Sequence, residues 1–126
     1  RTEAACQRIW GANWSTHLKD RGFHVSGPLG YQALIDRIRS VRAVITDSGG
    51  LQKEAYGFQK PCIVVRPVTE WVELVEVGAV RLCENPADLA GAWKWVRNAP
   101  SPPVGLYGEG QAAIEIAQAL SETSWR

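Results

Sequence analysis

One stretch, residues 43–58, restricts the possible folds of this chain more than any other. It begins with a short run of apolar and β-branched side chains, Ala-Val-Ile-Thr, which is typical of a buried strand. The next four residues end in Gly49 and Gly50, a pair that favours a tight turn because it brings no bulky side chains. Apolar residues then follow at positions 51, 55 and 58, which is the spacing of a helix. The stretch therefore predicts a strand, a glycine turn and a helix in direct succession.

A turn between a strand and a helix is a candidate anion site. The first backbone N–H groups of a helix have no partner within the helix, so they can bind a ligand, most often phosphate. Ser48 is placed to cap the helix and to donate its hydroxyl to the same ligand. Glu54 follows about one turn into the helix, where a carboxylate suits the hydroxyl groups of a sugar. A capped turn that binds nothing is the alternative interpretation of the same pattern.

A second apolar run, residues 62–65, predicts a parallel strand that is covered on both faces. Arg66 follows this run directly. Because ligands of open α/β sheets bind at the carboxyl ends of the strands, we expect Arg66 and the glycine turn to be neighbours at one edge. A guanidinium beside unpaired N–H groups suits a diphosphate. The alternative for Arg66 is an ion pair with Glu70 or Glu73.

The remaining segments alternate between helical and strand patterns. We expect further strands at 22–26 and 79–82, a turn at 27–30, and helices at 3–19 with a break near Gly11, 31–39, 70–77, 86–97 and 110–122. Thr69 is expected to cap the helix at 70–77, and Gly78 to end it. This alternation predicts an α/β fold, Rossmann-like, with a mostly parallel sheet of about four strands and helices on both faces.

Composition narrows the classes of partner. The net charge of +1 argues against nucleic acid or an acidic membrane surface as a partner. Three cysteines without metal-ligand spacing suggest free thiols in a reducing cytoplasm. No apolar run approaches the roughly 20 residues of a membrane span. We therefore expect 126 residues to form one cytoplasmic domain that needs no metal and no cofactor.

Three blocks of sequence carry a family resemblance: residues 46–55 (Thr-Asp-Ser-Gly-Gly-Leu-Gln-Lys-Glu-Ala), 60–66 (Lys-Pro-Cys-Ile-Val-Val-Arg) and 69–76 (Thr-Glu-Trp-Val-Glu-Leu-Val-Glu). Together they resemble the C-terminal half of the non-hydrolysing UDP-N-acetylglucosamine 2-epimerases. Three shorter pieces fit the same family in order: Arg1-Thr2, residues 28–31 (Pro-Leu-Gly-Tyr) and residues 107–112 (Tyr-Gly-Glu-Gly-Gln-Ala).

The resemblance implies a fold and a reaction. It implies the second of two Rossmann-like domains in a GT-B-like architecture, the half that holds UDP. The family inverts C2 of UDP-N-acetylglucosamine by eliminating UDP and adding it back. The implied UDP-binding residues are Ser48, Gly49 and Gly50 for the phosphates, Glu54 for the ribose, Arg66 for the phosphates or the sugar, and Pro28, Leu29 and Tyr31 for the uracil.

The resemblance also implies what this sequence lacks. The family's catalytic acids and bases lie mainly in the N-terminal domain, and its functional histidine would precede Arg1. We therefore expect the chain, a fragment or a degenerate relative, to be inactive alone and to need the missing N-terminal domain or a partner chain. A homodimer is implied by the family. Gln111 stands where the family often has a cation, which would weaken one contact to the phosphate or the sugar.

Three other functions fit the same residues. The pattern Glu-Trp-Val-Glu at 70–73 also suits a relative that acts on a diacetamido-uronic acid sugar nucleotide. A second alternative is the C-terminal half of a UDP-sugar glycosyltransferase, although the widely spaced paired glutamates of that class are absent, which argues mildly against it. The third alternative is a stand-alone sugar-nucleotide-binding module without catalysis.

Overall fold

The computed structural model describes residues 2–122, and the chain divides into two compact units between Ile35 and Asp36. In the first unit, α1 spans Thr2–Trp10 and α2 spans Trp14–Lys19. The break that was predicted near Gly11 is confirmed, and Gly11 adopts a φ of 69° that favours glycine. The helix α3, Tyr31–Ser40, contains the division between the units.

The predicted strand at residues 22–26 is wrong. Residues 23–30 adopt no regular structure, and the turn expected at 27–30 is not formed either. A strand needs a partner for its backbone N–H and C=O groups. Within the first unit as described, residues 2–35, no strand is present to supply one.

The second unit is built on a parallel sheet. Its elements are β1 (Val44–Thr46), α4 (Gly49–Gly57), β2 (Cys62–Val64), α5 (Val72–Glu76), β3 (Val80–Leu82), a 3₁₀ turn (Pro86–Asp88), α6 (Leu89–Asn98) and α7 (Ala112–Glu122). The strands lie in the order β1-β2-β3, and both pairings are parallel. Three strands form in the described chain instead of about four, because the segment at 22–26 does not pair.

The core of the second unit lies on the central strand. All three residues of β2 are buried, which confirms that both of its faces are covered. On one face, Ile63 packs with Cys83 and with Ala92 and Val96 of α6. Trp93 of the same helix is 43% exposed, because Ala92 and Val96, four residues apart, form the inner side of the helix.

Two helix ends were predicted from single residues. Gly78 ends α5 as expected, with a φ of 73°, and the N–H groups of Gly78 and Ala79 return to the carbonyls of Val75 and Leu74. At the other end, α5 begins at Val72 rather than at position 70. The hydroxyl of Thr69 accepts a hydrogen bond from the N–H of Trp71 at 3.1 Å. Thr69 therefore holds the residue that precedes α5 and does not cap an N–H group of the helix itself.

Candidate phosphate-binding edge

The glycine turn forms as the sequence predicts. Ser48 is the N-cap residue of α4 and has an extended backbone, with φ −89° and ψ 130°. Its side chain makes no capping hydrogen bond, so that part of the prediction is wrong. The Ser48 backbone N–H donates instead to Thr46 Oγ1 at 2.9 Å, a hydrogen bond within the turn that caps none of the N–H groups of α4. The Ser48 hydroxyl is therefore not used to start the helix.

The two glycines of the turn have different surroundings. A Cβ atom on Gly49 would collide with the carboxylate of Glu70 and would lie 3.5 Å from Trp71 Nε1. A Cβ atom on Gly50 would meet nothing within 4 Å. A side chain at Gly49 would therefore displace the flexible Glu70 carboxylate, whereas Gly50 leaves open space above the first turn of the helix.

Strand register places Arg66 at the same edge as the turn. Thr46 is paired with Val64 at the ends of β1 and β2, and Ser48 and Arg66 each follow two residues later. The Val65 N–H donates to the Thr46 carbonyl at 2.9 Å, which continues the pairing towards Arg66. The sheet edge thus carries both features that the sequence predicted for an anion site.

The alternative that the sequence left open for Arg66 is present. Arg66 Nη1 lies 3.1 Å from Glu70 Oε2, and these side chains are 36% and 48% exposed. The other oxygen of this carboxylate, Oε1, is the atom that lies against Gly49. Glu70 therefore bridges the guanidinium and the glycine turn.

A buried glutamine joins the turn to the loop that carries Arg66. Gln52 is fully buried; its Oε1 accepts the Thr69 hydroxyl at 2.7 Å and its Nε2 donates to the Ser48 carbonyl at 3.4 Å. Trp71 adds a second connection, because its Nε1 donates to the Gly49 carbonyl at 3.0 Å. Sequence reasoning missed Gln52. The spacing could have revealed it, because Gln52 precedes Ala55 and Tyr56 by three and four residues and therefore lies on the same, buried side of α4.

An aromatic cluster, which the sequence did not predict, lies on the next turn of α4. The Lys53 ammonium lies 3.4 Å from the ring centroid of Trp71 and 4.3 Å from that of Tyr107, both within cation–π range. Tyr107 donates its hydroxyl to Glu73 Oε1 at 2.7 Å. This hydrogen bond lowers the pKa of the Glu73 carboxyl. Burial, followed by the bond to Glu73, raises the pKa of Tyr107.

Tyr56 fixes the segment that leads to Tyr107. Its hydroxyl donates to the Pro103 carbonyl at 2.6 Å and accepts the Leu106 N–H at 3.0 Å. Its ring meets that of Tyr107 edge to face, with centroids 5.6 Å apart. The loop between α6 and α7, which contains Pro100, Pro102 and Pro103, is therefore held on α4 by specific hydrogen bonds.

The other predicted site residues are placed as follows. Glu54 is half-buried on α4, in the same unit as Ser48 and Arg66. Pro28, Leu29 and Tyr31 are exposed residues of the first unit. Their assignment to the ribose and the uracil stays a prediction. Arg1 of the resembling Arg1-Thr2 pair lies outside the described residues.

Within residues 2–122, no group of three or more His, Cys, Asp or Glu side chains is arranged to hold a metal ion. None of the helices in that range is both long enough and apolar enough to span a bilayer. An apolar cavity of about 340 Å³ lies beside the Arg66 loop, lined by Pro67, Val68, Thr69, Val72, Val75, Glu76 and Leu82.

Comparison with known proteins identifies the family. A sequence profile described as "UDP-N-acetylglucosamine 2-epimerase" matches residues 4–121. The chain belongs to this family. Among relatives of this epimerase family, the "UDP-2,3-diacetamido-2,3-dideoxy-D-glucuronate 2-epimerase" of Pseudomonas aeruginosa is 41% identical over 100 residues, which is 78% of this chain and 28% of the relative. The "UDP-N-acetylglucosamine 2-epimerase" of Methanocaldococcus jannaschii is 33% identical over 95 residues, 75% of this chain and 26% of the relative.

Solved epimerase structures have the same fold. The M. jannaschii enzyme "in complex with UDP-GlcNAc and UDP" matches 93% of this chain and 33% of its own with a TM-score of 0.72 and 31% identity. The S. aureus MnaA–UDP structure matches 94% of this chain and 32% of its own, with a TM-score of 0.69 and 28% identity. The predicted family and α/β fold are confirmed. The chain spans between a quarter and a third of the length of these relatives.

Proposed function

We propose that this chain is the UDP-binding part of a UDP-N-acetylglucosamine 2-epimerase. The turn of Ser48, Gly49 and Gly50 would bind the diphosphate together with Arg66. The observation that carries this proposal is the strand register, by which Ser48 and Arg66 each follow the last residue pair of β1 and β2 by two residues. The likeness to structures solved with UDP supports the same assignment.

The geometry suits the chemistry of C2 inversion. Elimination of UDP breaks a C–O bond and leaves negative charge on the diphosphate. The N–H groups at the start of α4 and the Arg66 guanidinium would stabilise that charge without rearranging. They would also keep UDP in place for the return step. The Ser48 hydroxyl, which does not cap the helix, would add a donor.

The remaining contacts follow from the same assignment. Glu54 would accept hydrogen bonds from the ribose hydroxyls, and Pro28, Leu29 and Tyr31 would frame the uracil. We assign no catalytic acid or base to this chain. Turnover would require the N-terminal domain, or a partner chain that supplies it.

A second substrate class is supported by one observation. The relative at 41% identity is named for a diacetamido-uronic acid sugar nucleotide, whereas the M. jannaschii enzyme named for UDP-N-acetylglucosamine is 33% identical. Both substrates carry UDP, so the proposed diphosphate site would serve either one. The family membership supports an epimerase over the glycosyltransferase alternative.

The test is a calorimetric titration of the chain with UDP. We expect saturable binding that weakens about tenfold or more in Arg66→Gln, since charge-assisted hydrogen bonds to a charged ligand contribute about 1.5–3 kcal/mol. Gly50→Val should weaken binding as well, because its side chain would enter the open space above α4. Arg97→Gln is the matched control, since it removes an exposed arginine from the last turn of α6. A folded chain that gives no heat with UDP would refute the proposal.

A further inference from the structure

We propose that the Glu70 carboxylate is an internal competitor for the diphosphate, which UDP must displace from Arg66 and from the glycine turn. This inference rests on the proposed function of that edge. Glu70 would lower the affinity of the chain for UDP, a role that the sequence pattern does not suggest.

The carboxylate pairs with the guanidinium and fills the space beside the turn, both of which the diphosphate would need. Its Oε2 lies 3.1 Å from Arg66 Nη1, and its Oε1 lies against Gly49, where a Cβ atom would collide with it. The two oxygens of one anionic group thus span the guanidinium and the first residue of α4. A phosphate group presents negatively charged oxygens to the same guanidinium and would need the same space beside Gly49.

The positive end of a helix favours this arrangement. Partial positive charge at the N-terminus of α4 stabilises a nearby carboxylate, and Arg66 adds a full charge. Glu70 is nevertheless 48% exposed, so its side chain can rotate into water without unburying apolar surface. A diphosphate carries more charge and more acceptor oxygens than a carboxylate, so it is able to replace Glu70.

The backbone on each side of Glu70 is anchored. On one side, the Thr69 hydroxyl donates to the buried Gln52. On the other side, the Trp71 N–H is held by Thr69 and its indole N–H by the Gly49 carbonyl. The carboxylate can therefore leave and return to the same place while the loop keeps its shape.

The first experiment measures UDP and pyrophosphate affinity of Glu70→Gln by calorimetry. We expect dissociation constants lower by about two- to fivefold, which is the strength of an exposed ion pair converted to affinity. If Glu70 only supported the loop, its removal would weaken binding. Glu76→Gln, which removes an exposed carboxylate from α5, should leave the affinity within about 1.5-fold, at the weak limit of an exposed charge interaction.

A double-mutant cycle separates competition from general repulsion. In an Arg66→Gln background, measured by NMR at millimolar UDP, Glu70→Gln should give a clearly smaller gain, because the competed guanidinium is gone and only the space beside Gly49 is still contested. A gain of the same size there would overturn the proposal in favour of simple charge repulsion. If the parent binds UDP through Arg66 but Glu70→Gln binds UDP no more tightly than the parent, the proposal about Glu70 is overturned. The proposed function then still stands. Absence of UDP binding in the parent would overturn both.

A structure of the chain with UDP gives an independent answer. The expected result is a phosphate oxygen on Arg66 and a Glu70 carboxylate turned away from Gly49. A UDP complex in which Glu70 still pairs with Arg66 would overturn the proposal.

Discussion

The Tyr107 hydroxyl donates a 2.7 Å hydrogen bond to the carboxylate of Glu73, and the two residues are 34 positions apart in the chain. This bond fastens the glycine-containing segment after Tyr107 to α5. The cation of Lys53 lies beside the same tyrosine ring and also beside Trp71. The cluster therefore connects α4, the loop that carries Glu70, and the segment that precedes α7.

The Tyr107–Glu73 bond should make stability depend on acid pH. The bond lowers the pKa of Glu73 in the folded state, so its contribution is present above the unfolded pKa and is lost as pH falls through the folded value. We expect Tyr107→Phe to lower the urea midpoint more at pH 7 than at pH 3. Urea titrations at pH 3, 4, 5 and 7 measure this.

Two variants control that experiment. Glu73→Gln should reproduce the loss at pH 7 and should add little to Tyr107→Phe, because both remove the same bond. Glu76→Gln removes a carboxylate from the same helix and should leave the pH dependence of the parent. A Tyr107→Phe deficit that is equal at pH 3 and pH 7 would show that the ring alone, and not the ionised bond, stabilises the fold.

The buried amide of Gln52 should be costly to remove. Gln52→Leu keeps a similar volume but leaves the Thr69 hydroxyl and the Ser48 carbonyl without this partner. We expect a loss of about 1–3 kcal/mol in the free energy of unfolding, the cost of leaving a buried polar group unpaired. Chemical denaturation of Gln52→Leu, Thr69→Val and the double variant measures it. The double variant should lose less than the sum of the single losses, and full additivity would refute a shared network.

Sequence reasoning succeeded where local pattern and tertiary structure agree. The apolar runs that became β1 and β2, the glycine turn and the helix stop at Gly78 each depend on a few neighbouring residues. The predicted strand at residues 22–26 had the right local pattern, but among residues 2–35, the described part of its unit, no strand pairs with it.

The side chains around the site were harder to predict. Gln52 and Thr69 meet across 17 positions, and Tyr56 and Pro103 across 47, so no local spacing reveals them. The ion pair of Arg66 was foreseeable, because Glu70 lies four residues later in the sequence. Its contact with Gly49 was not foreseeable, since that contact depends on the positions of β1 and β2 in the sheet.

The three thiols should differ in reactivity. Burial raises the pKa of Cys62 to about 12, so it stays a thiol at neutral pH, and Cys83 is also buried. Cys6 is half-buried on α1. We expect iodoacetamide at pH 8 to label Cys6 in the native chain, and Cys62 and Cys83 only in urea, because the reagent must reach the sulfur and both of these thiols are buried. Peptide mass spectrometry identifies the labelled cysteines. Labelling of Cys62 in the native chain would contradict the burial of the central strand.

The same elevated pKa has a consequence at alkaline pH. Because the folded-state pKa of Cys62 is raised from 9.0, its contribution to stability is complete below pH 9 and is lost as pH rises towards 12. Cys62→Ala should be less stable than the parent at pH 7, because it loses packing in the core. Its stability should also decline less above pH 9, because the titrating thiol is gone. Thermal melts at pH 7, 9 and 10 would measure both effects. An identical alkaline decline in the two proteins would assign it to other groups.

The two glycines of the turn should respond differently to alanine. Gly50 lies in the first turn of α4 with open space around it, so Gly50→Ala should leave stability unchanged or raise it by up to about 1 kcal/mol. Under the proposed function, the added methyl group would obstruct the diphosphate, and UDP affinity should fall. A variant that is at least as stable but binds more weakly would separate the site from the fold. Gly49→Ala should push the flexible Glu70 carboxylate aside, and Glu70→Ala should remove that conflict. If Gly50→Ala bound UDP as tightly as the parent, the diphosphate would not lie over the first turn of α4.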